Sequence, residues 1–239
     1  MNTPTKVVKP GKAEKLLGCW VQDDLKWTYH LRDSQDNVFK SLNQRISAIK
    51  IISKFSDFKT RKMLANGIFM SKLIYLIIIW SSCSKELKST LQVLQNKAAR
   101  LVTRNDWDSH NIDNHKQLGW LSVHQLSFYH KVLQLHKIRE SKLPTNLYKM
   151  FDWNFTYNTR QASSGQIKPY GTPRLQMSKM SFRWSSAECF NSLPVELRMC
   201  KDTLKFKSES KSWIQENVQF KWRLSEEKHH DKFLILYSL

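Results

Sequence analysis

Residues Leu87 to Arg104 read LKSTLQVLQNKAARLVTR. Leu87, Leu91, Leu94, Ala98 and Leu101 recur at spacings of three and four, which stacks them on one face of an α-helix. Lys97, Arg100 and Arg104 recur at the same spacing on a flank beside that stripe. The stripe predicts an amphipathic helix packed on a helical core. The basic flank has two readings, a track for a phosphate backbone or a solvated face.

Working upstream, Phe39, Leu42, Ile46, Ile49 and Ile52 form a second stripe of helical period. Ser56 or Asp57 offers a cap for a helix running towards Trp80. Lys15 to Val21 (KLLGCWV) reads as a short strand, Gln22 to Asp24 as a turn, and Leu25, Trp27 and Tyr29 as a returning strand of period two. Downstream, Asn105 to His115 (NDWDSHNIDNH) is polar and rich in turn formers, the best internal boundary. Ser122 to Ile138 is apolar on more than one side, as an enclosed helix would be. Pro144 reads as the first turn of a short helix or the end of the preceding one, Ser181 to Asn191 as a further helix with Phe182, Ala187 and Phe190 inward, and Ser208 to Phe220 as the last. The fold class is therefore mainly α with a short N-terminal β-hairpin.

Thirty-nine lysines and arginines stand against 20 acids, a formal charge of +19. With 41% hydrophobic residues this is a folding chain rather than a basic tail. A folded chain this basic works beside a polyanion. Asp152 to Met180 mixes turn formers with Arg160, Lys168, Arg174 and Lys179 and with Trp153, Tyr157 and Tyr170. Cations for phosphates and rings for bases suit single-stranded nucleic acid; an ordered surface loop anchored by its aromatics is the other reading. The longest apolar run, Leu73 to Trp80 (LIYLIIIW), falls far short of the roughly 20 residues a membrane helix needs. Met1 to Lys15 lacks the apolar core of a signal peptide, so a cytosolic or nuclear chain with reduced thiols is expected, not a secreted one.

The chemistry-bearing residues form no catalytic pattern. Asp23-Asp24 is a carboxylate pair on the candidate hairpin, but no third carboxylate has a spacing that would complete a magnesium site, and a turn is the simpler reading. His124, His130 and His136 are six apart and face different sides of a helix. Cys19, Cys83, Cys189 and Cys200 lack zinc-site spacing. No metal ligands and no cofactor are expected.

Leu16-Leu17-Gly18, followed by Asp23, Leu25, Lys26, Trp27 and His30, resembles the segment after the catalytic palm in reverse transcriptases of non-LTR retrotransposons. Leu91 to Arg100 (LQVLQNKAAR) is similar to a helix these elements carry further downstream. Tyr157 to Arg160 (YNTR), Phe182 to Pro194 (FRWSSAECFNSLP) and Phe206 are similar, in the same order, to their C-terminal region. The resemblance covers Lys15 to Lys211. It implies a tail (1–14, disordered), a primer-grip hairpin with thumb-like helices (15–104), a linker (105–118), a helical C-terminal region (119–220) and a second tail (221–239).

By the same resemblance Leu16, Leu17 and Gly18 fall in the primer grip, and the helices from Phe39 to Arg104 hold a template–primer duplex. Arg160, Lys168, Arg174 and Arg183 are the candidates for RNA contact in the C-terminal region. The sequence lacks the family's Tyr-x-Asp-Asp turn, its endonuclease and its Cys/His knuckle. The implied function is a non-catalytic fragment or remnant of an RNA-directed DNA polymerase that keeps nucleic-acid binding, magnesium belonging to the missing palm. The alternatives are a basic helical scaffold for a protein partner, through helix faces the missing palm leaves open, and a remnant with no selected role.

Overall fold

The computed structural model describes residues 13–106, 110–141, 144–153 and 164–218. Strand β1 (Glu14–Leu16) pairs antiparallel with β2 (Cys19–Val21), with Leu16 opposite Cys19. The two-residue turn, Leu17-Gly18, holds φ at 48° and 77°. A tight hairpin turn of this hand needs positive φ at both positions, which glycine adopts freely and leucine at a cost. The hairpin thus closes within Lys15 to Val21, where one continuous strand was expected. Leu25 to Tyr29 form no return strand, because Leu25 and Trp27 take left-handed φ of 51° and 65°. Trp27 is instead buried, its indole donating to Ser82 Oγ at 2.7 Å. The Gln22 side chain accepts from the Tyr29 N–H at 2.9 Å, where a π-helical turn (Tyr29–Asp33) begins.

Helix α1 (Val38–Ser53) starts at Asn37, whose side chain accepts from the Lys40 N–H. It buries Val38, Leu42 and Ile49, while Phe39 and Ile46 pack at the core's edge. Ile52, expected inward, lies near the solvent, and Ser53 takes its place at the core, since the true helical period drifts off a fixed three-four spacing. Asp57 caps α2 (Phe58–Leu64), as expected. The rod continues through a π-helical stretch (Ala65–Met70) into α3 (Ser71–Ile74). Leu76, left-handed at φ 55°, breaks it before α4 (Ile77–Trp80). The apolar run is thereby folded onto the core through Leu73, Ile77 and Trp80. Among the described residues no helix is long and apolar enough to cross a membrane.

Helix α5 (Lys85–Thr103) is capped by Ser84 and buries Leu87, Leu91, Leu94, Ala98, Ala99 and Val102. Residues Asn111–Leu118, inside the expected linker, form α6, which packs on α5. Amides join these helices. Gln92 Nε2 donates to Asn96 Oδ1 at 2.9 Å, and Asn96 Oδ1 also accepts from His115 Nε2 at 3.0 Å. Gln95 donates to the Leu121 carbonyl at 2.8 Å, and Gln92 Oε1 accepts from the Val123 N–H at 2.8 Å. That last bond satisfies an orphan donor at the start of α7 (Val123–Ser141). Burial holds the His115 ring down to about 4, so at neutral pH it is the uncharged donor this seam requires.

After α7 come α8 (Thr145–Tyr148), a two-residue ladder of β3 (Phe151–Asp152) with β4 (Lys168–Pro169), and α9 (Gln176–Met180). Then α10 (Phe182–Asn191), α11 (Val195–Met199) and α12 (Thr203–Asn217) complete the described chain. The last helix opens five residues earlier than its apolar pattern indicates, because Asp202 caps it by accepting from the Leu204 and Lys205 N–H groups. Helices α10 and α12 both pack on α7, which explains why α7 is apolar all round. One buried cluster contains Leu42 and Leu91 from before the expected linker and Leu135 and Phe206 from after it.

Candidate nucleic-acid interface

Helices α1 and α5 pack side by side, and the groove along their outer edge has a volume of about 470 Å³. Ile46, Lys50 and Ser53 line it from α1; Lys97, Arg100 and Leu101 line it from α5, with Arg104 and Asn105 at its end. Among the described residues no acid lines it. The stripe read from the sequence is therefore drawn into one groove, and α1 adds Lys50, which the sequence reading passed over. Its signal was available: Lys50 follows Ile46 by one helical turn.

The three stripe residues do different work. Lys97 is exposed. Arg100 is half-buried, and its Nε is buried without a hydrogen-bond partner among the described residues. Arg104, at the end of the groove, is held by α1, donating to the Ser53 and Lys54 carbonyls that end that helix. Those carbonyls lack intrahelical partners, and a cation there also meets the negative end of the helix dipole. Lys50, Lys97 and Arg100 are thus the cations left facing the groove. Beside them Arg61 is buried, donating to the Val102 carbonyl at 2.8 Å and the Ser56 carbonyl at 2.7 Å. Burial and the neighbouring Arg104 charge lower its pKa from the usual arginine value.

The other predicted residues lie elsewhere. Leu16, Leu17 and Gly18 form the tip of the hairpin, with Leu17 79% exposed. The Tyr75 hydroxyl donates to the Leu17 carbonyl at 2.7 Å. Arg160 lies outside the described residues. Lys168 on β4 and Arg174 are exposed, and Arg183 on α10 is half-buried. None of these three lines the second groove, which lies between β4, α9 and α10 and is lined by their neighbours Pro169, Pro173 and Trp184. Asp23 and Asp24 make a local turn, Asp23 Oδ1 accepting from the Asp24 N–H at 2.9 Å and Asp24 Oδ1 from the Lys26 N–H at 3.1 Å. Among the described residues no three His, Cys, Asp or Glu side chains are grouped as a metal ion would need. His136 is buried, stacked on Phe206 with ring centroids 4.0 Å apart, and its Nε2 donates to the Cys200 carbonyl.

Comparison of the chain with protein-family models, with curated proteins and with solved structures gives no match. The functional reading rests on the geometry and on the residues themselves.

Proposed function

We propose that the chain binds nucleic acid along its phosphate backbone, as the thumb-like and C-terminal part of a non-LTR retrotransposon reverse transcriptase, and does not polymerise on its own. The observation that carries the binding is the α1–α5 groove, where Lys50, Lys97 and Arg100 line a surface between two packed helices and no acid among the described residues intervenes. Phosphates taken up there would release condensed counterions, giving an affinity that is large at low salt and falls steeply with it. Such contacts set position and carry no base sequence. The order of elements, a short hairpin before a helical body, supports the family reading.

The test is duplex affinity measured across a salt series. Lys97→Ala with Arg100→Ala should weaken binding equally for all sequences and lower the slope of log affinity against log salt by about two, one per cation removed. A wild-type affinity that does not change with salt would overturn the proposal.

One observation favours the scaffold reading as a second possibility. Leu16 (66% exposed) and Leu17 stand out at the hairpin tip, beside a half-exposed Tyr75. An apolar tip of this kind would be a contact for a protein surface such as a palm.

A further inference from the structure

The second groove differs in kind from the first. It has a volume of about 320 Å³ and is walled by Pro169, Pro173 and Trp184, with Ala187 buried behind them and Lys179 and Glu188 at its edges. The wall carrying Pro169 is fixed to α10, because Asn191 accepts from the Ile167 N–H and donates to the Ile167 carbonyl, both at 2.8 Å. The rim is basic. Lys168 and Arg174 are the chain neighbours of the two prolines and both are exposed. The Arg183 guanidinium reaches to 3.9 Å from where a side chain on Gly171 would begin. Glu188 is exposed, and its carboxylate lies within electrostatic reach of Lys131 on α7.

A carboxylate at the pocket's edge disfavours a phosphate inside it, while Lys179 offers a cation for one beside it. A flat ring with N–H groups on its edge meets no such objection. We propose that the pocket takes one unpaired nucleobase of a single strand, stacked on Trp184 between the prolines, with the backbone passing Lys179. Glu188 accepts from the exocyclic amino group of that base, so cytosine and adenine are preferred over thymine and uracil, which lack one. The inference deepens the nucleic-acid reading and rests on it for the class of ligand, but it uses none of the α1–α5 groove residues.

The experiment measures binding of the full chain to short labelled oligo(dC), oligo(dT) and a mixed-sequence duplex at one salt concentration. Wild type should hold oligo(dC) several-fold more tightly than oligo(dT). Trp184→Ala should weaken both by about tenfold and leave the duplex alone. Trp184→Phe, which keeps a ring, should lose less. Glu188→Gln, at an exposed position, should bring oligo(dC) and oligo(dT) together, since an amide both donates and accepts. If the Trp184 and Glu188 variants bind each oligonucleotide as wild type does, the pocket inference fails whatever the duplex result. If Lys97→Ala with Arg100→Ala leaves duplex binding intact while the oligo(dC) preference still depends on Trp184 and Glu188, the groove reading fails and the pocket stands. A proline-rich peptide whose binding needs Trp184, beside oligonucleotide binding that does not, would replace the base with a polypeptide and overturn the inference.

Discussion

The α1–α5 groove is lined by four cations and the Trp184 pocket by one cation and one acid, and they suit different guests. The first is aliphatic and cationic, with Arg100 and Lys97 on one wall and Lys50 on the other. The second is prolyl and aromatic, and it keeps a carboxylate at its edge. A groove with no acid among its described lining suits a repeated phosphate charge, whereas a walled pocket with one acceptor suits a single ring. The contrast shows that a net charge of +19 is not one surface.

Part of that charge is structural. Arg104 closes the C-terminal end of α1 and Arg61 that of α5. Arg139 does the same for α11, donating to the Arg198 carbonyl and, at 2.9 Å, to the Cys200 carbonyl, with its guanidinium 5.3 Å from the centre of the Phe190 ring. Arginine suits this use because its planar fork reaches two carbonyls at once and stays charged when buried.

The largest effect should come from reversing the first groove. Replacing Lys50, Lys97 and Arg100 together by Glu should lower duplex affinity at low salt by about a hundredfold or more, because three phosphate contacts become repulsions. Unchanged binding with an intact helical spectrum would remove the groove from the comparison. The next effect is on stability alone. Arg61→Met leaves the Val102 and Ser56 carbonyls without their donor and should cost about 2–3 kcal/mol in urea unfolding, with the salt slope of surviving duplex binding unchanged.

Arg104→Met separates the two roles most directly. It should cost about 1–2 kcal/mol of stability and change duplex affinity far less than Lys97→Ala does. A loss of affinity equal to that of Lys97→Ala would place Arg104 among the phosphate contacts instead.

The smallest effect is a pH dependence that both regions share. His30, His115 and His124 are each held down at about 4, chiefly by burial. Their unfolded forms titrate near 6.5. Between those values the unfolded chain binds more protons, so stability is complete above about pH 6.5 and declines as pH falls towards 4. Thermal unfolding at stepped pH should show this decline, and His115→Gln should make it shallower. A Tm that does not move between pH 7 and 5 would contradict the buried, neutral state of these rings.

Much of the helical layout was legible in the sequence because periodicity is local. The inward residues of α5, α10 and most of α1 follow from their spacing, and Asp57 declares itself as a cap. The hairpin was legible only as a region. Its alternation continued through Leu25, Trp27 and Tyr29, but the turn formed at Leu17-Gly18 and Trp27 was taken by the core. Asn111 to Leu118 looked like a linker because two of its three buried residues are Asn114 and His115, which are stabilised by polar partners on α5, and Leu118 alone gives no apolar period. The amides Gln92, Gln95 and Asn96 carried a faint signal, three amides at helical spacing beside the apolar stripe, which reads as a wet flank until partners are known.

For the candidate sites the division is similar. The sequence alone determined the mainly helical class, the basic stripe on α5 and the mixture of cations and rings near the C-terminal region, since each is a matter of composition or of neighbours within a few turns. Only the tertiary structure decided that Arg104 closes a helix while Lys97 and Arg100 face a groove, that Lys50 joins them, and that Trp184 and Glu188 share a pocket with two prolines. The reason is physical: a charged side chain's role depends on which unpaired carbonyl, acid or open surface lies within its reach, and those are brought near by packing between segments far apart in the chain.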